Sequence, residues 1–151
     1  MCGRFSLFFF NEVLPDILIK NNYRFCVAGD ISLVNSKPLT LAVDKLMTDT
    51  APFNKGKFYV CINYDPIEEL NSAIMSSESM DMETVLKNLY VKEPIDICLR
   101  TGFENRISAF LPLQNSYAEL YFIKKYFPDI QISDLEEVIN DFQNKHRRFG
   151  K

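Results

Sequence analysis

The chain has 151 residues, a length typical of one domain, and it is 47% hydrophobic and 25% charged. These proportions exclude a disordered chain and a fibrous protein. The formal net charge of -3 gives no overall attraction to DNA or RNA, so no nucleic-acid partner is expected, and any anion site has to be built from local clusters of basic residues.

The first third of the chain predicts a helix, a strand and a second helix. Apolar residues between Leu7 and Leu18 recur at helical spacing, with Pro15 either kinking the segment or opening a later helix. Residues 24–28 are β-prone and run into Gly29-Asp30, which predicts a buried strand and a turn. After Pro38 a second apolar stripe follows, formed by Leu39, Val43, Leu46 and Met47.

The middle of the chain predicts two further strands with helices between them. Residues 58–64 are apolar at nearly every position, which is typical of a strand covered on both faces in a parallel sheet. A helix is predicted over 67–75, a loop over 76–83 and a short helix over 85–90. Residues 95–99 form the third predicted strand, and Arg100 follows it directly.

The last third predicts helices and a basic tail. Residues 111–127 are rich in apolar and aromatic side chains and are predicted to be helical. The spacing Ser133-x-x-Glu136 indicates a capping box before another periodic stripe. Residues 145–151 form the basic tail.

Strands that alternate with helices predict an α/β fold, a parallel sheet with helices on both faces, in a single domain over 1–151. In such folds ligands bind beyond the carboxyl ends of the strands, where Asn63 and Arg100 fall.

The cysteines and the apolar amino terminus indicate the cellular setting. Cys26, Cys61 and Cys98 lie in β-prone runs and are interpreted as buried hydrophobes in a reducing compartment. The apolar run over 5–10 is far shorter than the ~20 residues that a membrane span needs. The protein is therefore expected to be soluble or peripheral at a membrane.

The segment from Arg100 to Ser108 concentrates the residues best suited to bind an anion. Two guanidinium groups match pairs of phosphate oxygens, Gly102 lets the backbone approach closely, and a serine hydroxyl adds a neutral donor. That set suits a diphosphate. A salt-bridge network with Glu104 or Asp96 explains the same residues, and both interpretations are open at this point.

Several motifs extend this segment in both directions. They are Asp96-Ile-Cys-Leu-Arg-Thr-Gly102, Glu104-x-Arg-Ile-Ser-x-Phe-Leu111, Gln114-x-x-Tyr-x-Glu-Leu-Tyr-Phe122, Pro128-Asp129 and Arg147-Arg-Phe-Gly150, with Gly29-Asp30 and Ile62-Asn-Tyr64 upstream. In order and spacing the chain resembles the cis-prenyltransferases, the undecaprenyl and dehydrodolichyl diphosphate synthases. The resemblance implies a cis-prenyltransferase fold that lacks the amino-terminal third.

The resemblance implies a role for each matching residue. Arg100, Gly102, Arg106 and Ser108 are expected to bind the diphosphate of isopentenyl diphosphate, which is added to an allylic diphosphate. Glu119 is expected to bind the Mg²⁺ cofactor that bridges this diphosphate, although by itself it suits a surface acid paired with a base. Arg148 and Gly150 match an R-x-G motif that crosses a dimer interface, although by itself a basic tail suits a solvated terminus.

The sequence also departs from the family pattern. No segment matches the amino-terminal D-G-N-x-R-type loop, so no catalytic residue is assigned and activity of the chain alone is not expected. Phe103 replaces a common second glycine, and Asp65-Pro66 replaces the glycines usual after Asn-Tyr.

Three hypotheses follow: a truncated enzyme or one that works with another chain, an accessory non-catalytic subunit, or an inactive remnant. A homodimer or a heterodimer with a cis-prenyltransferase subunit is expected through the aromatic segment 117–127. The expected location is cytoplasmic. Any contact with a membrane is expected to be peripheral, at the endoplasmic reticulum in a eukaryote.

Overall fold

The structure, a computed structural model, describes residues 7–148. The chain divides after Val91 into two compact units, and each unit contains one pair of parallel strands. The predicted α/β class with parallel pairing is therefore confirmed. The prediction of a single domain stays a prediction.

The first unit begins with two helical segments and a strand. A π-helical turn, Phe9–Val13, runs directly into helix α1, Leu14–Asn21. Pro15 lies in the first turn of α1, where its missing N–H has no helical partner to lose. Asn22, with φ of 57°, ends the helix in a left-handed conformation that asparagine tolerates.

Strand β1, Tyr23–Ala28, pairs in parallel with β2, Gly56–Cys61, and helix α2, Lys37–Thr50, connects them with a short 3₁₀ turn. The core between these elements is apolar and includes an edge-to-face pair of Phe10 and Phe25 with ring centroids 6.0 Å apart. Full burial of a phenylalanine, leucine or valine side chain stabilises the folded state by about 1.5–3 kcal/mol. The buried residues are Phe10, Leu14, Leu18, Phe25, Ala42, Val43 and Leu46.

Two capped helices complete the first unit. The Asp65 carboxylate caps α3, Pro66–Met75, and the Asp81 carboxylate caps α4, Met82–Leu86. The short helix predicted over 85–90 is present but displaced, because the Asp81 cap starts it three residues earlier.

Glu69 is fully buried on α3, where its carboxylate accepts hydrogen bonds from the Tyr64 hydroxyl at 2.7 Å and from Val91 N at 3.2 Å. Burial, together with this carboxylate, raises the pKa of the Tyr64 hydroxyl.

In the second unit, β3, Ile97–Thr101, pairs in parallel with β4, Glu119–Ile123. A 3₁₀ turn, Phe127–Asp129, leads into helix α5, Ile132–Gln143. The predicted helix over 111–127 is wrong, because the β-prone run at its centre pairs with β3. The predicted capping box is also displaced, since Gln131 and Asp134 form the box observed.

Strand burial agrees with the sequence only in part. Phe58 on β2 is 37% exposed, so that strand is not covered on both faces as predicted. Cys98 is buried and Cys26 and Cys61 are half-buried. Burial raises the pKa of the Cys61 and Cys98 thiols. Among residues 7–148 no helix has the length and apolar character needed to cross a bilayer.

The Thr50 hydroxyl gives a direct test of how β1 is held. It accepts a hydrogen bond from Phe25 N at 2.9 Å and donates one to the Leu46 carbonyl at 2.7 Å, all in the core. Thr50→Val keeps the shape but leaves a buried N–H without its acceptor, so we expect a loss of about 1–3 kcal/mol in the free energy of unfolding, measured in urea.

Thr48→Val is the matched control, because its exposed hydroxyl donates to the Asp44 carbonyl in the same helix. We expect that change to stay within about 0.5 kcal/mol. Equal losses in the two variants would contradict the role given to Thr50.

Candidate functional site

Arg100 is the next-to-last residue of β3, and its side chain reaches across the loop that follows. Its Nη1 donates to the Ser108 hydroxyl at 2.9 Å and to the backbone carbonyl of Arg106. The structure therefore brings together the two ends of the predicted anion-binding segment. We call Arg100, Gly102, Arg106 and Ser108 the clamp.

The Arg106 guanidinium pairs with a different residue of the same loop. Its Nη1 lies 2.7 Å from Glu104 Oε2, and both side chains are more than half exposed. An exposed pair of this kind contributes only about 0–1 kcal/mol, so an anion with several oxygens can displace Glu104. Asp96 pairs with Arg147 instead. Of the two acids named from the sequence, only Glu104 therefore pairs with an arginine of the clamp.

The clamp loop contains several residues at positive φ. Gly102 has φ of 109°, and its N–H donates to the Ile123 and Lys125 carbonyls at 3.0 and 2.7 Å. Ser108, Ala109 and Leu111 have φ between 45° and 59°, which is unfavourable for residues with a Cβ.

Hydrogen bonds from the Asn115 side chain hold the loop in this conformation. Its side-chain amide, 8% exposed, donates to the Phe110 and Leu111 carbonyls at 2.8 and 3.0 Å. Backbone strain next to two arginines is typical of a ligand site.

A cleft of about 310 Å³ opens beside the clamp. Arg100 and Thr101 supply its polar wall, and the rest of the wall is mostly apolar. A ligand with a charged head and a short hydrocarbon body matches this division. The other lining residues are Cys98, Leu99, Ile107 and Phe110.

Glu119, the predicted metal ligand, is not beside the clamp of its own chain. It pairs in register with Ile97, three residues before Arg100, so the two positions lie about 10 Å apart along the strands and face opposite sides. Its carboxylate lies 3.8 Å from Lys145 Nζ. No cluster of three possible metal-binding groups occurs among residues 7–148.

Arg147 and Arg148 of the tail lie at the same end of the strand pair as Glu119. Arg148 is exposed, and it follows Arg147, whose side chain contacts Asp96 and Tyr117 at the starts of β3 and β4. Gly150 lies outside the described residues. The structure therefore separates the predicted site residues into the clamp and an opposite edge that carries Glu119 and Arg148.

A second cleft, of about 450 Å³, lies at the carboxyl ends of β1 and β2. Asn63, named from the sequence, lines it and donates through Nδ2 to the Asp30 carbonyl at 3.2 Å. Three carboxylates line the same cleft, from Asp30, Asp65 and Glu68. Hydrogen bonds from Ser32 lower the pKa of Asp30, which keeps it ionised. This cleft is therefore less suited to an anion than the clamp.

Comparison with known proteins agrees with the family resemblance of the sequence. The prenyltransferase family described as "Putative undecaprenyl diphosphate synthase" matches residues 5–150. The chain belongs to the cis-prenyltransferase family. Two isoprenyl transferases of the family, from Streptococcus thermophilus and Rickettsia typhi, are 31% and 34% identical over 94% and 97% of this chain. The chain spans 63% and 66% of their lengths, less than two thirds in both cases.

Two solved structures share the cis-prenyltransferase fold. A probable undecaprenyl diphosphate synthase from Campylobacter jejuni is 28% identical with a TM-score of 0.79, over 93% of this chain and 72% of that one. Lavandulyl diphosphate synthase from Lavandula x intermedia, in complex with dimethylallyl diphosphate, has a TM-score of 0.87 at 22% identity, over 98% and 69%. The latter likeness concerns the fold alone.

Sequence reasoning missed the role of Asn115 and the pairing of Arg147 with Asp96. Asn115 braces the clamp loop, and the Arg147 and Asp96 side chains join the tail to the start of β3. Asn115 stands within the Gln114-x-x-Tyr117 motif, which was the one available signal. The partner of Arg147 is 51 residues away, so no local pattern shows it.

Asn115→Ala tests whether this side chain holds the clamp loop. Loss of two buried hydrogen bonds under a backbone at positive φ is expected to lower the free energy of unfolding by about 1–3 kcal/mol in urea titrations. Asn144→Ala is the control, since its exposed amide also donates to a carbonyl four residues earlier, at 2.8 Å. A loss below about 0.5 kcal/mol in both variants would argue against the brace.

Proposed function

We propose that this chain supplies the isopentenyl diphosphate side of a cis-prenyltransferase site. In this role Arg100, Gly102, Arg106 and Ser108 hold the diphosphate while the isopentenyl group enters the cleft. Fixing the homoallylic substrate presents its double bond to an allylic diphosphate, and positioning of this kind lowers the barrier to condensation.

The observation that carries the proposal is the position of Arg100. Its guanidinium is within hydrogen-bond distance of the Ser108 hydroxyl at the polar wall of a cleft that is otherwise mostly apolar. An anion that enters replaces the contacts of Arg100 and Arg106 with charge-assisted hydrogen bonds to phosphate oxygens. The family membership supports the same assignment.

Mg²⁺ fits the proposal as a cofactor that is shared with phosphate oxygens. Mg²⁺ is usually held by one or two carboxylates together with substrate phosphates, and Glu119 offers one partly exposed carboxylate. When bound, the ion neutralises diphosphate charge. Since Glu119 and the clamp lie at opposite ends of β3 and β4, we propose that Glu119, Arg148 and Gly150 serve a neighbouring subunit in a homodimer or heterodimer.

A second candidate is an accessory subunit that donates its tail to a catalytic partner. The observation that favours it is the edge position of Arg148, away from the clamp of the same chain. The two candidates differ in one respect, because only the first requires a working clamp. A cytoplasmic location, with peripheral contact to the endoplasmic reticulum membrane in a eukaryote, remains our prediction.

The clamp is tested by calorimetric titration of pyrophosphate with Mg²⁺. Arg100→Ala and Arg106→Ala each remove a charged donor worth about 1.5–3 kcal/mol, so we expect affinity to fall roughly ten- to a hundredfold. Arg24→Ala, an exposed arginine on β1, is the control and should bind as the wild type does. Unchanged affinity in both clamp variants would refute the first candidate, and a loss in Arg148→Ala alone would favour the second.

The cleft predicts a preference for the complete substrate over pyrophosphate. Burial of the hydrocarbon body contributes about 0.8 kcal/mol per methylene. Phe110→Ala should therefore lower the affinity for isopentenyl diphosphate about three- to tenfold and leave the affinity for pyrophosphate unchanged. Phe127→Ala, 80% exposed and outside the cleft, should change neither. Equal weakening of both ligands by Phe110→Ala would mean that the cleft does not take the isopentenyl group.

A further inference from the structure

Arg147 is more buried than Arg106 of the clamp. Its side chain is 18% exposed, against 63% for Arg106. The guanidinium donates to the Asp96 carboxylate and, at 3.1 Å, to the Tyr117 carbonyl, and it lies 5.3 Å from the centre of the Phe142 ring. These contacts attach the tail to the segments that open β3 and β4 and to the end of α5.

Asp96 connects Arg147 and its contacts, which we call the anchor, to Glu119. Its carboxylate accepts from Arg147, and its backbone carbonyl accepts from Glu119 N at 2.9 Å. One residue therefore fixes both the tail and the first residue of β4. Glu119 and the tail are then held at one edge of the strand pair by a continuous set of hydrogen bonds.

We propose that Arg147 is a positioning residue that presents Arg148 and Glu119 together to one diphosphate. The proposal rests on the proposed function, in which this edge serves a neighbouring subunit. Arg147 itself does not touch the ligand. It acts by fixing the backbone that carries the exposed Arg148, at the edge of the strand pair where Glu119 also lies.

The physical reason is the conformational entropy of the segment that carries Arg148. A charged side chain on an unanchored segment visits many positions, and ligand binding then has to order the backbone bonds of that segment. The anchored Arg147 orders that backbone in advance. Arginine suits this role better than lysine, because its planar fork donates in two directions while its face rests on an aromatic ring.

A double-mutant cycle separates positioning from a general effect on stability. Pyrophosphate with Mg²⁺ is titrated into the full 151-residue chain and its Arg147→Ala, Arg148→Ala and doubly substituted variants. We expect Arg147→Ala to weaken binding about three- to tenfold, and we expect the double variant to bind no more weakly than Arg148→Ala. Urea unfolding of the same four proteins should show the same stability loss from Arg147→Ala in both backgrounds.

Two further variants, Asp96→Asn and Arg147→Lys, complete the test. Asp96→Asn removes the charge of the anchor but keeps the backbone carbonyl that Glu119 uses, so it should reproduce the binding effect even if Arg147→Ala folds poorly. Arg147→Lys should restore only part of the affinity.

The proposal is overturned if Arg147→Ala and Asp96→Asn both bind as the wild type does. It is equally overturned if the loss from Arg147→Ala persists in the Arg148→Ala background, or if Arg148→Ala has no effect. Failure of the proposed function shows differently, as unchanged affinity in both clamp variants, Arg100→Ala and Arg106→Ala.

Discussion

Two parallel strands hold their side chains in matched pairs, and the register of β3 and β4 therefore decides which charges act together. Ile97 stands opposite Glu119, and Arg100 stands opposite Phe122. A diphosphate bound by Arg100 lies about three residues along the strands from Glu119 and on the other face. We therefore propose that the clamp and the Glu119 edge serve different ligand positions, which is why a neighbouring subunit belongs to the proposed function.

Both arginines of the clamp have partners within the loop, so anion binding is an exchange of contacts. Arg100 gives up the Ser108 hydroxyl and a carbonyl, and Arg106 gives up Glu104. The net gain from such an exchange is much smaller than the gross strength of the new hydrogen bonds. A ligand with several charged oxygens gains most, which favours a diphosphate over an anion of low charge.

The sequence predicts the α/β class and the parallel strands, and its failures have physical causes. The strand before Arg100 was visible as an apolar run that ends in a charged residue, although the structure extends that strand to Thr101. The segment 111–127 was predicted to be helical because apolar and aromatic density does not separate a helix from a strand. Pairing with β3 decides the matter. The anchor of Arg147 depends on a residue 51 positions away, and only the fold brings the two together.

A crystal structure of the chain with isopentenyl diphosphate and Mg²⁺ would test the central claim most directly. The account predicts diphosphate oxygens within hydrogen-bond distance of Arg100, Arg106 and Ser108, with Glu104 displaced from Arg106 and the isopentenyl group against Phe110. Diphosphate in the acidic cleft at Asn63, with the clamp contacts of Arg100 unchanged, would contradict it.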